Sequence, residues 1–335
     1  MLKLSKVVTP ISIKYSDFFS GKDLSDILFE SYGPFGTGYI SISEIPKYSI
    51  QRQAILKQAR DLYRLPMDIK SKLQCPESNY LIGWSQGKEV YKGQVNESQS
   101  VFYTNYFEQE ESHLPLPNLW PGAELPNFKS AHKAFNSTVY NTTLIVLDHL
   151  DKLLKKHSLT ISLKQIISES RHPITLLLHY LPQKTPKEWS RWHCDHDIIV
   201  GLCCPLYTNE DSGEQADPEA LNWETNLCIR NKEDEAMKVR AKPDELLIHI
   251  GEASQIITGG ILRATPHAVI TDGTKENLSR STYALFFDPK PEFELICPKT
   301  KYSDFAFLEY NGMPNLREKW QNGITFEKFG YNTFT

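Results

Sequence analysis

The second half of the chain consists of short apolar runs, and this texture restricts the fold more than any other feature of the sequence. Turn-forming residues separate the runs, and no helix-length periodic segment lies between them. Such spacing favours a sandwich or a jelly roll over a parallel α/β sheet. The runs cover residues 175–180, 197–202, 245–250, 255–257, 268–270 and 281–287.

The first half has a mixed pattern. Residues 7–13 alternate around Pro10 and predict an edge strand, and residues 39–43 predict a second strand after a glycine-rich turn. Apolar residues at helical spacing predict three helices, over about residues 25–31, 49–64 and 127–156. We therefore expect helices packed around a mainly β core. Residues 75–121 are left without an assignment.

Composition narrows the class of protein. The 335 residues are 40% hydrophobic, which is ample for a core, and the net charge of −4 comes with no basic cluster. We therefore expect no nucleic-acid partner. The chain shows no apolar stretch of signal-peptide or membrane-span length, so we predict a cytoplasmic protein with no membrane contact. The six cysteines form no C-x-x-C pair and are predicted to be reduced thiols.

Three residues have the order expected of a metal site. His193 and Asp195 are two residues apart, so on a strand both side chains point to the same side, and His267 begins a later apolar run. Two imidazoles and one carboxylate can fill one face of an octahedron, as in non-haem Fe(II) oxygenases, and leave the other face open. Six other histidines lack this setting and are predicted to be structural or at the surface: His113, His132, His149, His157, His172 and His249.

A rival set of ligands lies next in the chain. His196 and Asp197 have opposite parity on a strand, so at most one of them could join His193 and Asp195. Asp197 has the required parity but lies one step further along. We prefer His193 and Asp195.

Arg280 and Thr282 share one face of the last apolar run. If that face looks into the core, a guanidinium and a hydroxyl project into an apolar interior, where an unpaired arginine is costly. A bidentate anion would satisfy it, since charge-assisted hydrogen bonds contribute roughly 1.5–3 kcal/mol each. The alternative is a surface ion pair between Arg280 and an acidic residue of the protein.

These residues and several longer segments resemble the isopenicillin N synthase-like family of 2-oxoglutarate- and Fe(II)-dependent dioxygenases. The resemblance extends over nearly the whole chain. Its segments are residues 8–12, 38–42, 65–70, 83–89, 120–128, the strand containing His179 and Tyr180, and residues 244–260.

The resemblance implies a double-stranded β-helix, a jelly-roll core at residues 170–290. A mixed helical region at 1–165 would pack on it, with an extension at 291–335, all in one domain of 1–335. It also implies the cofactor Fe(II), held by His193, Asp195 and His267, with 2-oxoglutarate and O2 as co-substrates. Arg280, Thr282 and Tyr180 would bind the 2-oxoglutarate.

Three departures from the family pattern stand out. Thr282 replaces the more usual serine and keeps the hydroxyl. Leu181 separates Tyr180 from the following proline, so the alignment of Tyr180 with the family pattern is ambiguous. The interval of 72 residues from Asp195 to His267 is long for the family.

The expected function is oxidation of a small organic substrate, by hydroxylation, desaturation or ring closure, with succinate and CO2 as co-products. The alternatives are an isopenicillin N synthase-type oxidase that uses no 2-oxoglutarate, and a jelly-roll binding protein without catalysis. The primary substrate and the oligomeric state are left open.

The long interval contains an acidic excursion at residues 209–219, with five acids in eleven residues. Its composition predicts a solvated, mobile loop. We expect it to cover the mouth of the pocket, although a position at the opposite rim of the barrel fits the sequence equally well.

Overall fold

The computed structural model describes residues 6–88, 90–91, 94–107, 116–273 and 277–334. Glu89 and His113 lie outside the described residues. The helices are α1 (Ser25–Tyr32), α2 (Tyr48–Tyr63), α3 (Met67–Lys70), α4 (Phe128–Lys156), α5 (Leu163–Ser170), α6 (Glu252–Ile257), α7 (Leu316–Lys319) and α8 (Phe326–Phe334).

The strands are β1 (Val7–Val8), β2 (Ile11–Lys14), β3 (Tyr39–Ser43), β4 (Gly83–Gln86), β5 (Val90–Tyr91), β6 (Gln94–Val95), β7 (Gln99–Asn105), β8 (His172–Tyr180), β9 (Lys187–His193), β10 (Ile199–Cys203), β11 (Leu206–Asn209), β12 (Glu224–Arg230), β13 (Ala236–Arg240), β14 (Leu246–Ile250), β15 (His267–Thr271), β16 (Leu278–Asp288), β17 (Glu294–Leu295) and β18 (Ile324–Thr325).

Two large sheets form the core. The larger has the order β2-β3-β14-β10-β16-β8-β7-β4, with β11 paired to β16, and the smaller has the order β1-β13-β12-β15-β9. Neighbouring strands are antiparallel except at β1–β13 and β2–β3. The N-terminal region is therefore part of both sheets, because it contributes β1 to the smaller one and β2, β3, β4 and β7 to the larger.

The long helix α4 packs on one face of the larger sheet. Tyr283 of β16 meets Phe135 edge to face at 5.0 Å between ring centroids, and Phe287 stacks on Tyr140 at 5.5 Å. Gly201 of β10 lies under the same helix, where a Cβ atom would come within 2.7 Å of the Val139 side chain. Period two then turns the alternate residues of β10 and β16 toward the smaller sheet.

Most predicted elements are confirmed. The strand at 39–43 is β3, the three predicted helices are α1, α2 and α4, and the edge strand at 7–13 is present but interrupted around Pro10. The strand predicted at 255–257 is wrong, because these residues end α6. A short, fully buried apolar run has no periodicity that separates helix from strand. Two strands, β12 and β13, were not predicted and occupy part of the long interval before His267.

All six cysteines are unpaired. In the described part of the chain, no helix combines the length and the apolar character that crossing a bilayer requires.

Candidate metal centre

The structure brings His193, Asp195 and His267 together. His193 is the last residue of β9 and His267 is the first of β15, and the two residues are register partners in the smaller sheet. One ligand atom from each of the three residues lies within 4.8 Å of the others. Two ligand atoms bonded to one metal at about 2.1 Å lie at most about 4.2 Å apart, so the three side chains would have to move only slightly closer together to bind one ion.

The reason for this proximity differs from the one given by the sequence. Strand β9 ends at His193, so Asp195 lies in the following loop and strand alternation does not orient it. The loop is instead held through its backbone, since the Glu252 N–H at the start of α6 donates to the Asp195 carbonyl at 2.8 Å.

Asp195 is surrounded by three imidazoles. Its carboxylate oxygens lie 3.4 Å from Nε2 of His193, 2.6 Å from Nε2 of His249 and 3.6 Å from Nε2 of His267. Burial acts to raise the pKa of Asp195, but the interactions of its carboxylate with the three surrounding imidazoles outweigh burial and hold that pKa well below its usual value. Asp195 is therefore an anion, as a metal ligand must be.

The backbone selects the tautomer of the two histidine ligands. Nδ1 of His193 lies 2.7 Å from the Arg191 carbonyl, and Nδ1 of His267 lies 3.1 Å from the Thr265 carbonyl. A carbonyl only accepts, so Nδ1 of each ring carries a hydrogen and Nε2 is the atom that faces Asp195 and is placed to bind a metal. Burial lowers the pKa of His267 to about 3. Burial acts in the same direction on His193, but the hydrogen bond to Asp195 outweighs it and raises the pKa of His193. Two imidazole nitrogens and a carboxylate converging in this way are the donor set of a divalent cation.

His249 is a site residue that the sequence interpretation missed. Its ring is 2% exposed, stacks on Tyr39 at 4.7 Å and donates from Nε2 to Asp195. The position follows from the pairing of β10 with β14, which sets His249 opposite Val200. A single sequence gives no signal for that register, so His249 was predicted to be structural or at the surface.

Arg280 lies inside the sandwich, as its parity predicts. It is 2% exposed, its Nε donates to the Thr225 carbonyl at 3.0 Å, and its guanidinium carbon lies 5.1 Å from the centre of the Tyr180 ring. Tyr180 is also its register partner on β8. Within the described residues, Nη1 of Arg280 has no hydrogen-bond partner, and no acidic side chain forms an ion pair with Arg280.

Thr282 shares the interior face with Arg280 and is 2% exposed. Its hydroxyl donates to the Cys203 carbonyl at 2.8 Å. The hydroxyl hydrogen is therefore already used by the backbone, so Thr282 would have to turn away from Cys203 to donate to a bound carboxylate.

The rival ligands lie apart from this site. His196 and Asp197 do not join His193, Asp195 and His267 but form a separate group with Asp288 at the end of β16. The His196 ring stacks on Phe326 at 5.3 Å.

Ion pairs hold the beginning of the acidic excursion against the rest of the fold. Glu210 is 8% exposed and pairs with His179 at 3.1 Å, with Arg64 at 3.4 Å and with Arg60 at 3.7 Å. The expectation that these acids are all solvated is therefore wrong for Glu210, because two arginines of α2 and its C-terminal end compensate its charge. Asn209 is the register partner of Leu278, at the Arg280 end of β16. This pairing favours the opposite rim of the barrel, and not the mouth of the metal site, as the position of the acidic excursion.

Two solved structures have the same fold as this chain. A 2OG-Fe(II) oxygenase family protein from Caulobacter crescentus superposes with a TM-score of 0.68 at 17% identity, covering 96% of this chain and 97% of that one. A full-length protein from Neurospora crassa, solved in complex with alpha-KG, superposes with a TM-score of 0.67 at 15% identity, covering 98% of this chain and 96% of that one. The predicted jelly-roll fold is thereby confirmed.

Curated relatives are similar at the level of sequence. Codeine O-demethylase of Papaver somniferum is 26% identical over 246 residues, which are 72% of this chain and 60% of the relative. Oxoglutarate-dependent flavonoid 7-O-demethylase 1 of Ocimum basilicum is 23% identical over 70% of this chain and 56% of the relative. The chain thus matches about 60% of the length of these relatives.

No sequence-family profile matches the chain. The relatives include proteins named as O-demethylases, and the solved structures with the same fold include a 2OG-Fe(II) oxygenase family protein. The resemblance to the isopenicillin N synthase-like family of 2-oxoglutarate- and Fe(II)-dependent dioxygenases is confirmed.

Proposed function

We propose that the protein is a non-haem Fe(II)- and 2-oxoglutarate-dependent dioxygenase that oxidises a small organic substrate. The observation that carries the proposal is the convergence of the His193, Asp195 and His267 donor atoms within 4.8 Å. Similar proteins named as O-demethylases and oxygenases support it. A cytoplasmic location and the absence of a nucleic-acid partner remain predictions from the sequence.

The residues present fit the metal. Two imidazoles with Nε2 directed at a carboxylate held as an anion are the ligands that Fe(II) takes in this class of site. His193, Asp195 and His267 would hold the ion, which when bound supplies the oxidising chemistry with O2 and 2-oxoglutarate. The chain itself orients the ligands: the Arg191 and Thr265 carbonyls fix both rings, and His249 and the Glu252 N–H fix Asp195.

The residues present also fit a dicarboxylate. Among the described residues, Nη1 of Arg280 has no hydrogen-bond partner, although the buried guanidinium contacts the Tyr180 ring and the Thr225 carbonyl. A carboxylate at this position would satisfy the guanidinium and neutralise its charge. We assign this place to the carboxylate of 2-oxoglutarate farthest from the metal, with Thr282 and Tyr180 beside it.

The side chain of His193 is the most accessible of the three ligands. It is 42% exposed, whereas those of Asp195 and His267 are 10% and 8% exposed. We therefore place the approach of the primary substrate on the His193 side, while the buried side of the site excludes water.

The test is release of labelled CO2 from 1-labelled 2-oxoglutarate in the presence of Fe(II). We expect release by the wild-type protein and none by His193→Ala, Asp195→Ala or His267→Ala, each still folded by circular dichroism. His157→Ala is the control, because His157 packs between Phe29 and Tyr302 away from the site.

Two outcomes would contradict the proposal. Substrate oxidation without any use of 2-oxoglutarate would identify an isopenicillin N synthase-type oxidase. Activity retained in His193→Ala but lost in His196→Ala would show that the metal uses the rival ligands.

A further inference from the structure

A second group of metal-binding side chains lies beside the candidate iron site and has no part in the proposed reaction. His196, Asp197 and Asp288 each offer a donor atom within 4.8 Å of the other two. They come from two segments, the loop before β10 and the end of β16. The Ile198 N–H donates to the Phe287 carbonyl at 3.1 Å and holds these segments together.

Both carboxylates of the group are buried. Asp197 is 1% exposed and Asp288 is 6% exposed. Within the described part of the chain, no N–H or O–H group donates to either oxygen of Asp197 or to Oδ1 of Asp288. The ion pairs found there include no lysine or arginine bound to either residue; Asp288 has only His172, with its Nδ1 at 3.6 Å.

An arrangement of this kind needs a positive charge. Removing a carboxylate from water costs several kcal/mol unless a partner compensates it, and two adjacent carboxylates also repel each other. Either a proton or a metal ion can supply the charge.

The third member of the group favours a metal over a proton. Two carboxylates with an imidazole are a donor set for first-row divalent ions, whereas a shared proton needs only the carboxylates. The His196 ring is held against Phe326, with 14° between the ring planes. Asp288 is the register partner of His172, which is therefore placed to orient the Asp288 carboxylate.

We propose that His196, Asp197 and Asp288 bind a second divalent transition-metal ion, of the Zn²⁺ or Mn²⁺ type, with a structural role. The ion ties the loop that carries Asp195 to the end of β16 and so to the larger sheet. This site is independent of the proposed oxygenase activity, because none of its ligands contributes to the His193, Asp195 and His267 group.

The test is metal stoichiometry with Mn²⁺ as the probe. Metal-free protein is dialysed against Mn²⁺, and bound metal per chain is measured by plasma mass spectrometry. We expect two equivalents in the wild type, one in Asp195→Ala, one in Asp288→Asn and none in the double variant. Asp304→Asn removes an exposed carboxylate elsewhere on the surface and should keep both equivalents.

Thermal unfolding gives a second measurement, which does not depend on enzyme activity. Mn²⁺ should raise the Tm of Asp195→Ala, in which only the second site remains, and Asp288→Asn in that background should abolish the rise. If Asp288→Asn does not fold, His196→Ala replaces it, since His196 is partly exposed. One equivalent in the wild type, with no Mn²⁺-dependent rise in Asp195→Ala, would overturn the proposal and assign the carboxylates a shared proton.

Discussion

Individual side chains decide how well Asp195 can serve as a ligand, and His249 is the clearest case. Its Nε2 donates a hydrogen bond to Asp195 at 2.6 Å, which is the shortest of the three contacts between a histidine and Asp195. Its ring stacks on Tyr39. Partners that orient a ligand typically affect metal affinity by about 10–100-fold. His249 thus acts through Asp195 and is a positioning residue.

We predict that His249→Phe, which keeps an aromatic ring against Tyr39 but removes the donor, weakens metal binding at the Asp195 site by about 10–100-fold. His249→Asn should recover part of the loss, because its amide can donate to Asp195. The measurement is equilibrium dialysis, following the equivalent of metal that Asp195→Ala removes. Equal affinity in the wild type and His249→Phe would show that Asp195 needs no such support.

A second residue-scale prediction concerns Arg280. Arg280→Ala leaves a bound carboxylate without its partner, a loss of several kcal/mol or about 100-fold in affinity for 2-oxoglutarate. Arg280→Lys should recover only part of it, since an ammonium does not reproduce the two-pronged geometry. Isothermal titration with 2-oxoglutarate measures both. An unchanged affinity in Arg280→Ala would place the carboxylate elsewhere.

At the scale of elements, Glu210 connects three parts of the fold. Its side chain joins the acidic excursion to α2 through Arg60 and Arg64 and to β8 through His179. Burial acts to raise the pKa of Glu210, but the hydrogen bond and charge of His179 outweigh it, with help from Ser279 and Arg60, and the pKa is lowered.

We predict that Glu210→Gln lowers the free energy of unfolding by about 1–3 kcal/mol at pH 7. A lowered pKa stabilises the fold fully above the ordinary value of 4.5, and this contribution is lost as the pH falls through the folded-state value. The difference between wild type and variant in urea unfolding should therefore shrink in acid. Glu214→Gln, an exposed acid of the same excursion, should change little at either pH, and an equal effect of both variants would contradict the argument.

The elements with long, regular patterns could be predicted from the sequence. Helices α2 and α4 have apolar residues at helical spacing over four or more turns, and β16 contains an uninterrupted apolar and aromatic run at residues 283–287. Residues 255–257 could not be assigned correctly, because three buried residues, of which only Ile256 and Ile257 are apolar, are too few to show a period. His193, Asp195 and His267 could be proposed as metal ligands because their order in the chain is distinctive. His249 and the Asp197–Asp288 contact depend on the register of β10 with its neighbours, which alternation alone does not determine.

At the scale of the whole molecule, the N-terminal region and the jelly-roll strands share one core. Strand β3 extends the larger sheet at β14, and the Tyr32 and Tyr48 hydroxyls donate to the Ile248 and Glu245 carbonyls at 3.0 and 3.1 Å. Arg52 of α2 is 6% exposed and donates to the Cys204 and Pro205 carbonyls at 2.8 and 2.5 Å. These contacts cross the boundary near residue 165 that the sequence suggested.

We therefore predict that a fragment of residues 170–335 does not fold alone, and that the full chain unfolds in one transition. Helix α4 has seven apolar residues with no exposed surface: Phe128, Phe135, Val139, Val146, Leu147, Leu150 and Leu154. At about 1.5–3 kcal/mol for each larger side chain, losing this helix removes roughly 10–20 kcal/mol, as much as the net stability of about 5–15 kcal/mol of a typical protein. Calorimetry of the full chain and thermal unfolding of the fragment by circular dichroism test this. A cooperative transition in the isolated fragment would show instead that residues 1–165 are a separate unit.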